Sequence, residues 1–254
     1  MLNESCSSQL TYGFSMNVPK KITPCPIVEA VIEIRFDSKV PGDAVFGVIY
    51  NKVKEKFSAF EKLPILQIPE AIRSTDPVLI YSPHYKLRSG DFILQIGPKV
   101  VSFANVDKYC GWEIFYKEIK CMFDKVYALG IVEKVTRLGL RYINVFSEMN
   151  IFERSDLKVV LKEKQLLEYV SLNIKLPCNG FLNTLIMASG AQLLSSANKV
   201  MKGSVIDIDT ELTDVKVDFY DKMDEIINNA HIEEKKLFFS ILKEEYIKTL
   251  NPEY

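Results

Sequence analysis

A chain of 254 residues is long enough to bury a substantial core, either as one large domain or as two closely packed halves. Its composition, 48% hydrophobic and 26% charged, is that of a globular protein and excludes general disorder. The 32 lysines and arginines balance 33 aspartates and glutamates, so a net charge of −1 offers no electrostatic basis for wholesale nucleic-acid or membrane binding.

The cysteines and the N-terminal residues indicate the cellular compartment. Five cysteines without a C-x-x-C spacing argue against a zinc ribbon, a redox motif or a secreted disulfide framework. Residues 1–21 are polar and lack a basic start followed by an apolar run, so we interpret them as an N-terminal extension and not as a signal peptide. No later stretch reaches the ~18 uninterrupted apolar residues of a membrane span. These patterns predict a cytoplasmic protein.

The first strong pattern lies in residues 27–36, where apolar and charged residues alternate. A period of two predicts a strand with one buried face. The apolar face comprises Val28, Ala30, Ile32, Ile34 and Phe36. The opposite face comprises Glu29, Glu33 and Arg35. Pro41-Gly42-Asp43 ends this strand and starts a helix whose apolar positions extend to Phe57.

The remainder of the first half, residues 22–149, alternates between strand and helix patterns. A proline-punctuated stretch from Pro64 to Pro83 contains only short strand candidates. Residues 85–103 then predict a small antiparallel meander with two tight turns. Gly111 precedes an amphipathic helix that ends at Gly130, and a strand over residues 132–146 closes this half.

The second half, residues 150–254, begins with strands. Two β-rich runs, 167–178 and 181–194, are joined by Asn179-Gly180, which is the strongest short hairpin signal. The small residues 188–191 predict a tightly packed or bulged part of the second run. After a turn over residues 195–198, a third strand spans residues 200–212. We expect a helix capped by Thr213 or Asp214, followed by a second helix or a continuation bent near His231.

The order of these elements predicts an α+β fold with antiparallel-rich sheets in two halves, each covered by amphipathic helices. In the second half, a β-meander precedes long C-terminal helices, which bury their apolar faces most simply by lying across the sheet.

The sequence contains no recognisable catalytic or metal-binding constellation. His84 and His231 stand in no metal-ligand spacing. The motifs G-x-x-x-x-G-K-[ST], G-x-G-x-x-G and G-x-S-x-G are all absent. Aromatic residues interleaved with lysine, as in Phe115-Tyr116-Lys117, lie on a predicted core helix, so they give no clear nucleic-acid signature. We therefore predict no catalytic residues, no metal site and no cofactor.

Charge on the predicted strands is the most informative pattern. Arg137 and Arg141 share one face of the strand over residues 132–146. If that strand lies beside the first one, Glu29 and Glu33 can meet the two arginines across the ladder. We interpret the set as a structural ion-pair ladder, and the alternative is a polar surface on which these four residues and Arg35 bind an anionic ligand or a partner.

A second alternating set, Asp207, Asp209 and Glu211, lies on the strand over residues 200–212. Three acids on one face can bind a divalent cation, but alternate residues on a strand stand ~6.5 Å apart. The pattern therefore favours a solvated strand face.

Several segments together resemble a sporadically distributed prokaryotic protein family without an assigned function. These segments are Pro26–Phe36, Gly111–Phe115 with its G-W-E-x-F pattern, Val135–Asn144, Lys236–Phe239 and Leu250–Tyr254. The resemblance covers nearly the whole chain from about Pro24 onward. It supplies no catalytic residues to transfer, and it implies an accessory-genome setting such as mobile elements, defence islands or toxin–antitoxin-like operons.

Three hypotheses follow for function. The first is a non-enzymatic binding or interaction protein, an accessory or regulatory component with a protein partner or self-association. The second is a small-ligand sensor with a pocket between the second-half sheet and the C-terminal helices. The third is an enzyme of unrecognised type that uses the charged strand faces, which would require strongly perturbed carboxylates in a cleft.

Overall fold

A computed structural model of the protein describes residues 18–194, 200–213, 215 and 218–254. Within these residues the fold is α+β, with eleven strands and five helices. The strands are β1 (Ile27–Ser38), β2 (Phe60–Lys62), β3 (Tyr85–Ser89), β4 (Phe92–Gly97), β5 (Val100–Val106), β6 (Val132–Ser147), β7 (Val159–Leu161), β8 (Lys164–Leu166), β9 (Ser171–Cys178), β10 (Phe181–Leu194) and β11 (Val200–Thr213). The helices are α1 (Gly42–Val53), α2 (Glu70–Arg73), α3 (Trp112–Tyr127), α4 (Met223–Ile241) and α5 (Glu244–Thr249).

Nine of the strands form one antiparallel sheet in the order β2-β3-β4-β5-β1-β6-β11-β10-β9, and β7 and β8 pair separately. The first strand, β1, lies at the centre between β5 and β6. The sheet is continuous across the predicted boundary near residue 150, because β6 pairs with β11 from Arg137 opposite Thr213 to Ser147 opposite Gly203. The division into residues 22–149 and 150–254 stays a prediction.

Strand register decides which face of the sheet is buried. Ile32 lies opposite Leu140, Leu140 opposite Thr210, and Thr210 opposite Asn183, so these residues form one row across four strands. All four are fully buried. Since side chains directly opposite each other point to the same face, this row marks the core side of the sheet on β1, β6, β11 and β10.

The three longer helices pack on that core side. In one cluster, Ile34 of β1 packs with Ile49 of α1 and Phe115 of α3. In a second cluster, Leu185 of β10 packs with Leu237 of α4. The apolar alternation of β1 and the helical stripe of α3 are therefore confirmed as core-facing. No helix among the described residues is long and apolar enough to cross a membrane.

Two local predictions in the second half are confirmed. Asn179 and Gly180 have φ values of 49° and 84° between β9 and β10. Two successive positive φ angles are what a two-residue type I′ hairpin requires. Gly190 has a φ of 67°, and the register of β10 against β11 shifts between Ala188 and Ala191. This shift is a bulge, which was one of the two alternatives predicted for these residues.

The predicted cap at Thr213 was wrong, and of the two alternatives at His231 the structure contradicts only the separate second helix. Thr213 is still paired with Arg137 in the sheet, and α4 begins only at Met223. Asp214 and the predicted turn at residues 195–198 lie outside the described residues. Helix α4 also continues through His231 without a break. The chain leaves the helix at Leu242, which forms a bridge to Ser155 and therefore adopts an extended conformation.

Two further boundaries differ from the sequence-based prediction. The stretch from Pro64 to Pro83 forms the short helix α2 and two single 3-10 turns. Pro64 begins the first of these 3-10 turns, a position that suits proline, and Pro69 directly precedes α2. The run predicted to begin at residue 167 becomes a strand only at Ser171, and Tyr169 just before it has a φ of 55°, which interrupts an extended backbone.

Candidate functional site

The charged residues of the central strands lie together on the side of the sheet opposite the core. Glu33 of β1 lies opposite Gly139 of β6, which lies opposite Glu211 of β11. In a neighbouring row, Arg141 lies opposite Asp209. We call this surface the charged face. It is formed by Glu29, Glu33, Arg35, Arg137, Arg141, Asp207, Asp209 and Glu211.

Arg137 is the centre of the charged face. Its Nη1 donates to Oε1 of Glu33 at 3.0 Å, and its Nη2 donates to Oδ2 of Asp209 at 2.8 Å. Its Nε donates to Oε2 of Glu211 at 2.7 Å. The arginine side chain is only 13% exposed. One guanidinium group therefore links three strands by using its planar fork of donors on three carboxylates.

Gly139 makes room for this guanidinium group. A Cβ atom built on Gly139 would stand 2.5 Å from Nη1 of Arg137. Because the position between Glu33 and Glu211 carries no side chain, the arginine can lie across β6 and reach both strands that flank it. A glycine inside a strand often marks such a close approach.

We expect Gly139→Ala to lower the free energy of unfolding by about 1 kcal/mol, because the added methyl group displaces the Arg137 guanidinium. Gly47→Ala is the matched control, since Gly47 is exposed within α1 and an added Cβ meets no atom within 4 Å. That control should raise stability by about 0.5–1 kcal/mol. Urea denaturation of both variants measures the difference, and equal gains in stability would contradict the role given to Gly139.

Two further arginines complete the network and are more exposed. Nε of Arg141 donates to Oδ1 of Asp207 at 2.8 Å, and its Nη2 donates to the other carboxylate oxygen. The Arg141 side chain is 45% exposed, whereas that of Asp207 is 9% exposed. Nε of Arg35 donates to Oε1 of Glu33 at 2.9 Å, and its guanidinium lies 4.9 Å from the ring centroid of Tyr81. Both guanidinium groups are fixed by hydrogen bonds and still reach solvent.

Burial perturbs the titration of this network. Burial raises the pKa of Asp209, although the Arg137 guanidinium opposes the rise. Burial also raises the pKa of Glu29, and the charge of Arg141 opposes that rise. For Arg137 burial acts to lower the pKa, but the carboxylates of Asp209, Glu211 and Glu33 outweigh it and hold the pKa above its usual value. In this partly buried place, the carboxylates favour the charged form of the guanidinium, and the guanidinium favours the charged form of the carboxylates.

The sequence-based expectation for these residues was correct in part. Glu33 and Arg137 meet across adjacent strands as anticipated. Glu29 forms no ion pair with either arginine among the described residues. The view of Asp207 as part of a separate solvated face was wrong, because this carboxylate is buried and bound by Arg141. That Asp207 belongs to the charged face follows only from the pairing of β11 with β6.

No family model and no curated protein matches this chain. The resemblance drawn from the motifs therefore stays a prediction. Within the part of the chain that the structure describes, no group of three or more histidine, cysteine or acidic residues is placed to hold a metal ion. On the charged face, the arginines occupy the positions between the carboxylates.

A second polar cluster lies on the core side, where sequence reasoning placed none. The ring of Trp112 at the start of α3 stacks on His231 of α4, with centroids 3.8 Å apart. The Tyr142 hydroxyl lies 3.3 Å from Nδ1 of His231 and 3.3 Å from the Tyr109 hydroxyl. Burial lowers the pKa of His231 to about 3 and raises that of the nearby Glu234 to about 8. Both side chains are therefore uncharged at neutral pH.

Proposed function

We propose that this chain is a non-enzymatic, cytoplasmic binding protein that holds a protein partner on the charged face. The observation that carries this proposal is the fixed guanidinium–carboxylate network on β1, β6 and β11, which lies opposite the face packed by α1, α3 and α4. Donors and acceptors held in place before binding lose little conformational freedom when a partner arrives.

Exposure at one end of the sheet supports a docking role. On β9 the residues that point to the charged-face side, Ser171, Asn173, Lys175 and Pro177, are all exposed. On β10 the neighbouring Leu182 and Ile186 are half-buried and point the same way. A mixed surface of this kind, with apolar side chains beside ordered charges, is typical of non-obligate interfaces.

The charge of the face favours a basic partner. The central strands carry five carboxylates (Glu29, Glu33, Asp207, Asp209, Glu211) and three guanidinium groups (Arg35, Arg137, Arg141), so the formal sum is 3 − 5 = −2. A lysine- or arginine-rich segment would neutralise the excess. Complementarity of this kind accelerates association and weakens as salt increases.

The alternatives receive less support. A sensor pocket was expected in the interface between the second-half strands and α4. There, Leu185 and Phe238 are both buried in one apolar cluster. For the enzyme hypothesis, a carboxylate that accepts hydrogen bonds from a guanidinium, as Asp209 and Glu211 do, is a poor general base. The family resemblance adds the proposal that the partner belongs to the same accessory-genome operon.

Affinity capture from native cells tests this function, with the wild-type chain as bait beside two variants that add the same charge. Thr184→Arg places a bulky cation on β10 opposite Asp209, and removes no ion pair of the charged face. Asn229→Arg is the matched control on the exposed side of α4. We expect the wild type and the control to retain the same partner, and the Thr184 variant to lose at least about tenfold in affinity.

Partner capture that is equal for all three baits would contradict the proposal, because it would place the contact away from the charged face. Far-UV circular dichroism of both variants verifies that they fold. The partner's own sequence gives a second readout, since a captured protein without a basic surface would remove the electrostatic argument.

A further inference from the structure

A small cavity opens on the same side of the sheet as the charged face, above strands β1, β3, β4 and β5. Its volume is about 140 Å³. Apolar cavities of about 150 Å³ hold a molecule the size of benzene, so this space suits a ligand of roughly six to eight non-hydrogen atoms. The charged-face network occupies β1, β6 and β11 and leaves this region free.

Glu29 lines one side of the cavity. It is half-buried, and among the residues that the structure describes its side chain makes no hydrogen bond or ion pair. Burial raises its pKa, and the charges of Arg141 and Lys86 offset only part of this rise. An ammonium group of a ligand would stabilise the charged form of a carboxylate that has lost hydration at a cavity wall.

Lys86 supplies the opposite charge on the cavity wall. Its Nζ lies 3.2 Å from Oε1 of Glu61, whose side chain is 62% exposed. Such a surface ion pair contributes little, so the lysine can turn to an anionic ligand at small cost. Among the described residues Lys86 forms its salt bridge with Glu61 and not with Glu29, although its charge acts on Glu29 across the cavity.

The wall between the two charges is mixed, with apolar side chains beside polar ones. Val31, Ile93 and Ala104 form its apolar part, and Ile93 and Ala104 are each 5% exposed. The hydroxyl of Ser102 and the side-chain amide of Gln95 add polar groups. An anion, an apolar surface and a cation in succession match a molecule that carries an ammonium group, a short chain of methylene groups and a carboxylate.

We propose that this cavity binds a small zwitterion of the ω-amino-acid type, with its ammonium group at Glu29, its methylene groups on Ile93 and Ala104, and its carboxylate at Lys86. The inference does not rest on the proposed function, because it needs no protein partner. It adds a ligand class and a site to the charged side of the sheet.

Isothermal titration calorimetry of the full chain tests the proposal with named probes. The zwitterions are 3-aminopropanoate, 4-aminobutanoate, 5-aminopentanoate and 8-aminooctanoate, and the single-charge probes are butylamine and butanoate. We expect one of the three shorter zwitterions to bind at least tenfold more tightly than butylamine, butanoate or 8-aminooctanoate. Both ends of the ligand must be held for this order to appear.

Three variants locate the site. Glu29→Gln should lower the affinity for the best zwitterion at least tenfold, and it should fold because burial already favours the neutral side chain. Lys86→Met should lower the same affinity at least tenfold and leave butylamine binding unchanged. Lys117→Met, at an exposed position of α3, is the control and should bind as the wild type does.

Several results would overturn the proposal. If no zwitterion binds at millimolar concentration, the cavity holds water only. Equal binding of butylamine and the zwitterions would make it a simple cation site without a role for Lys86. Unchanged affinity in the Glu29 variant would place the ligand elsewhere. In contrast, unchanged binding of the zwitterion by Thr184→Arg, together with loss of the protein partner, would support the proposal and separate this site from the partner surface.

Discussion

Replacing Arg137 by methionine is expected to lower the free energy of unfolding by about 3–5 kcal/mol. The substitution keeps much of the side-chain volume and removes only the guanidinium group. Glu33, Asp209 and Glu211 then lose a common partner in a position where the arginine is 13% exposed. Chemical denaturation monitored by circular dichroism measures the loss.

The matched control for this prediction is Arg35→Met. Arg35 lies on the same face and pairs with Glu33, but its side chain is 34% exposed and it serves a single carboxylate. Its removal should cost less than about 1 kcal/mol. If Arg137→Met is equally mild, the network contributes no more than a surface ion pair and the central role given to Arg137 is wrong.

Neutralising the three acids should restore much of the lost stability. With Glu33→Gln, Asp209→Asn and Glu211→Gln added to Arg137→Met, no unpaired charge stays buried, and replaced ion-pair networks are often neutral in stability. A double-mutant cycle of this kind isolates the coupling between the groups. Failure of the added substitutions to recover stability would mean that the methionine itself packs badly.

Stability should fall by about 1.6 kcal/mol as pH rises from 6.5 to 8, and the buried Glu234 is the expected cause. The folded protein keeps the Glu234 proton up to a pKa of about 8, whereas the unfolded chain releases it near the usual value of 4.5. Between these values the folded state binds one proton more than the unfolded state. Stability then decreases by about 1.4 kcal/mol for each pH unit of increase.

His231 has the opposite dependence and acts at lower pH. Its pKa of about 3 in the folded protein lies below the usual 6.5, so it reduces stability as pH falls toward and below 6.5, and His84, whose pKa burial also lowers, acts in the same direction. Both histidines oppose the Glu234 slope near pH 6.5, so the comparison with a Glu234 variant isolates the contribution of Glu234. Tyr109 and Tyr142 lie close by, but burial raises the pKa of both further above their usual value of 10, outside this interval.

Denaturant titrations at pH 6.5, 7.25 and 8 compare the wild type with Glu234→Gln. Glutamine cannot release a proton, so this slope should disappear in the variant. Glu225→Gln on the same helix is the control, because Glu225 is exposed and pairs only with Lys222, and the slope should persist there. Identical slopes in the wild type and the Glu234 variant would show that Glu234 does not hold its proton as inferred.

The strands that carry the site could be recognised from local sequence, because their faces follow a period of two. Glu33 and Arg137 were thus predicted to meet if their strands are neighbours. The participation of Asp209 could not be predicted in the same way, because Arg137 reaches it only through the pairing of β6 with β11, which lie more than 50 residues apart in the chain. The residue pattern of one strand does not show which distant strand it pairs with.

The segment Val135–Asn144 now has a physical account on both sides of the sheet. Arg137, Gly139 and Arg141 alternate on the charged face, where the glycine admits one guanidinium and the second arginine binds Asp207. Tyr142 points to the core and joins the hydrogen-bonded chain to His231. Alternation was visible in the sequence, but the partners of each residue come from other elements.

The end of β11 shows where local propensity was overridden. Thr213 is a good helix-capping residue, yet it pairs with Arg137 at the end of a long ladder and the helix starts later. His231 was taken for a junction residue because histidine is polar. Its stacking on Trp112 provides a packing role inside α4 that depends on a distant helix.

Nuclear magnetic resonance of the arginine Nε–Hε groups tests most directly whether the charged face is a binding surface. The hydrogen bonds of Arg35, Arg137 and Arg141 to carboxylates should slow exchange enough for their signals to be observed. On titration with the captured partner, we predict that the signals of the half-exposed Arg35 and Arg141 shift with saturation. Shifts confined to backbone amides of α1 and α3, with all three arginine signals unchanged, would contradict the proposed function.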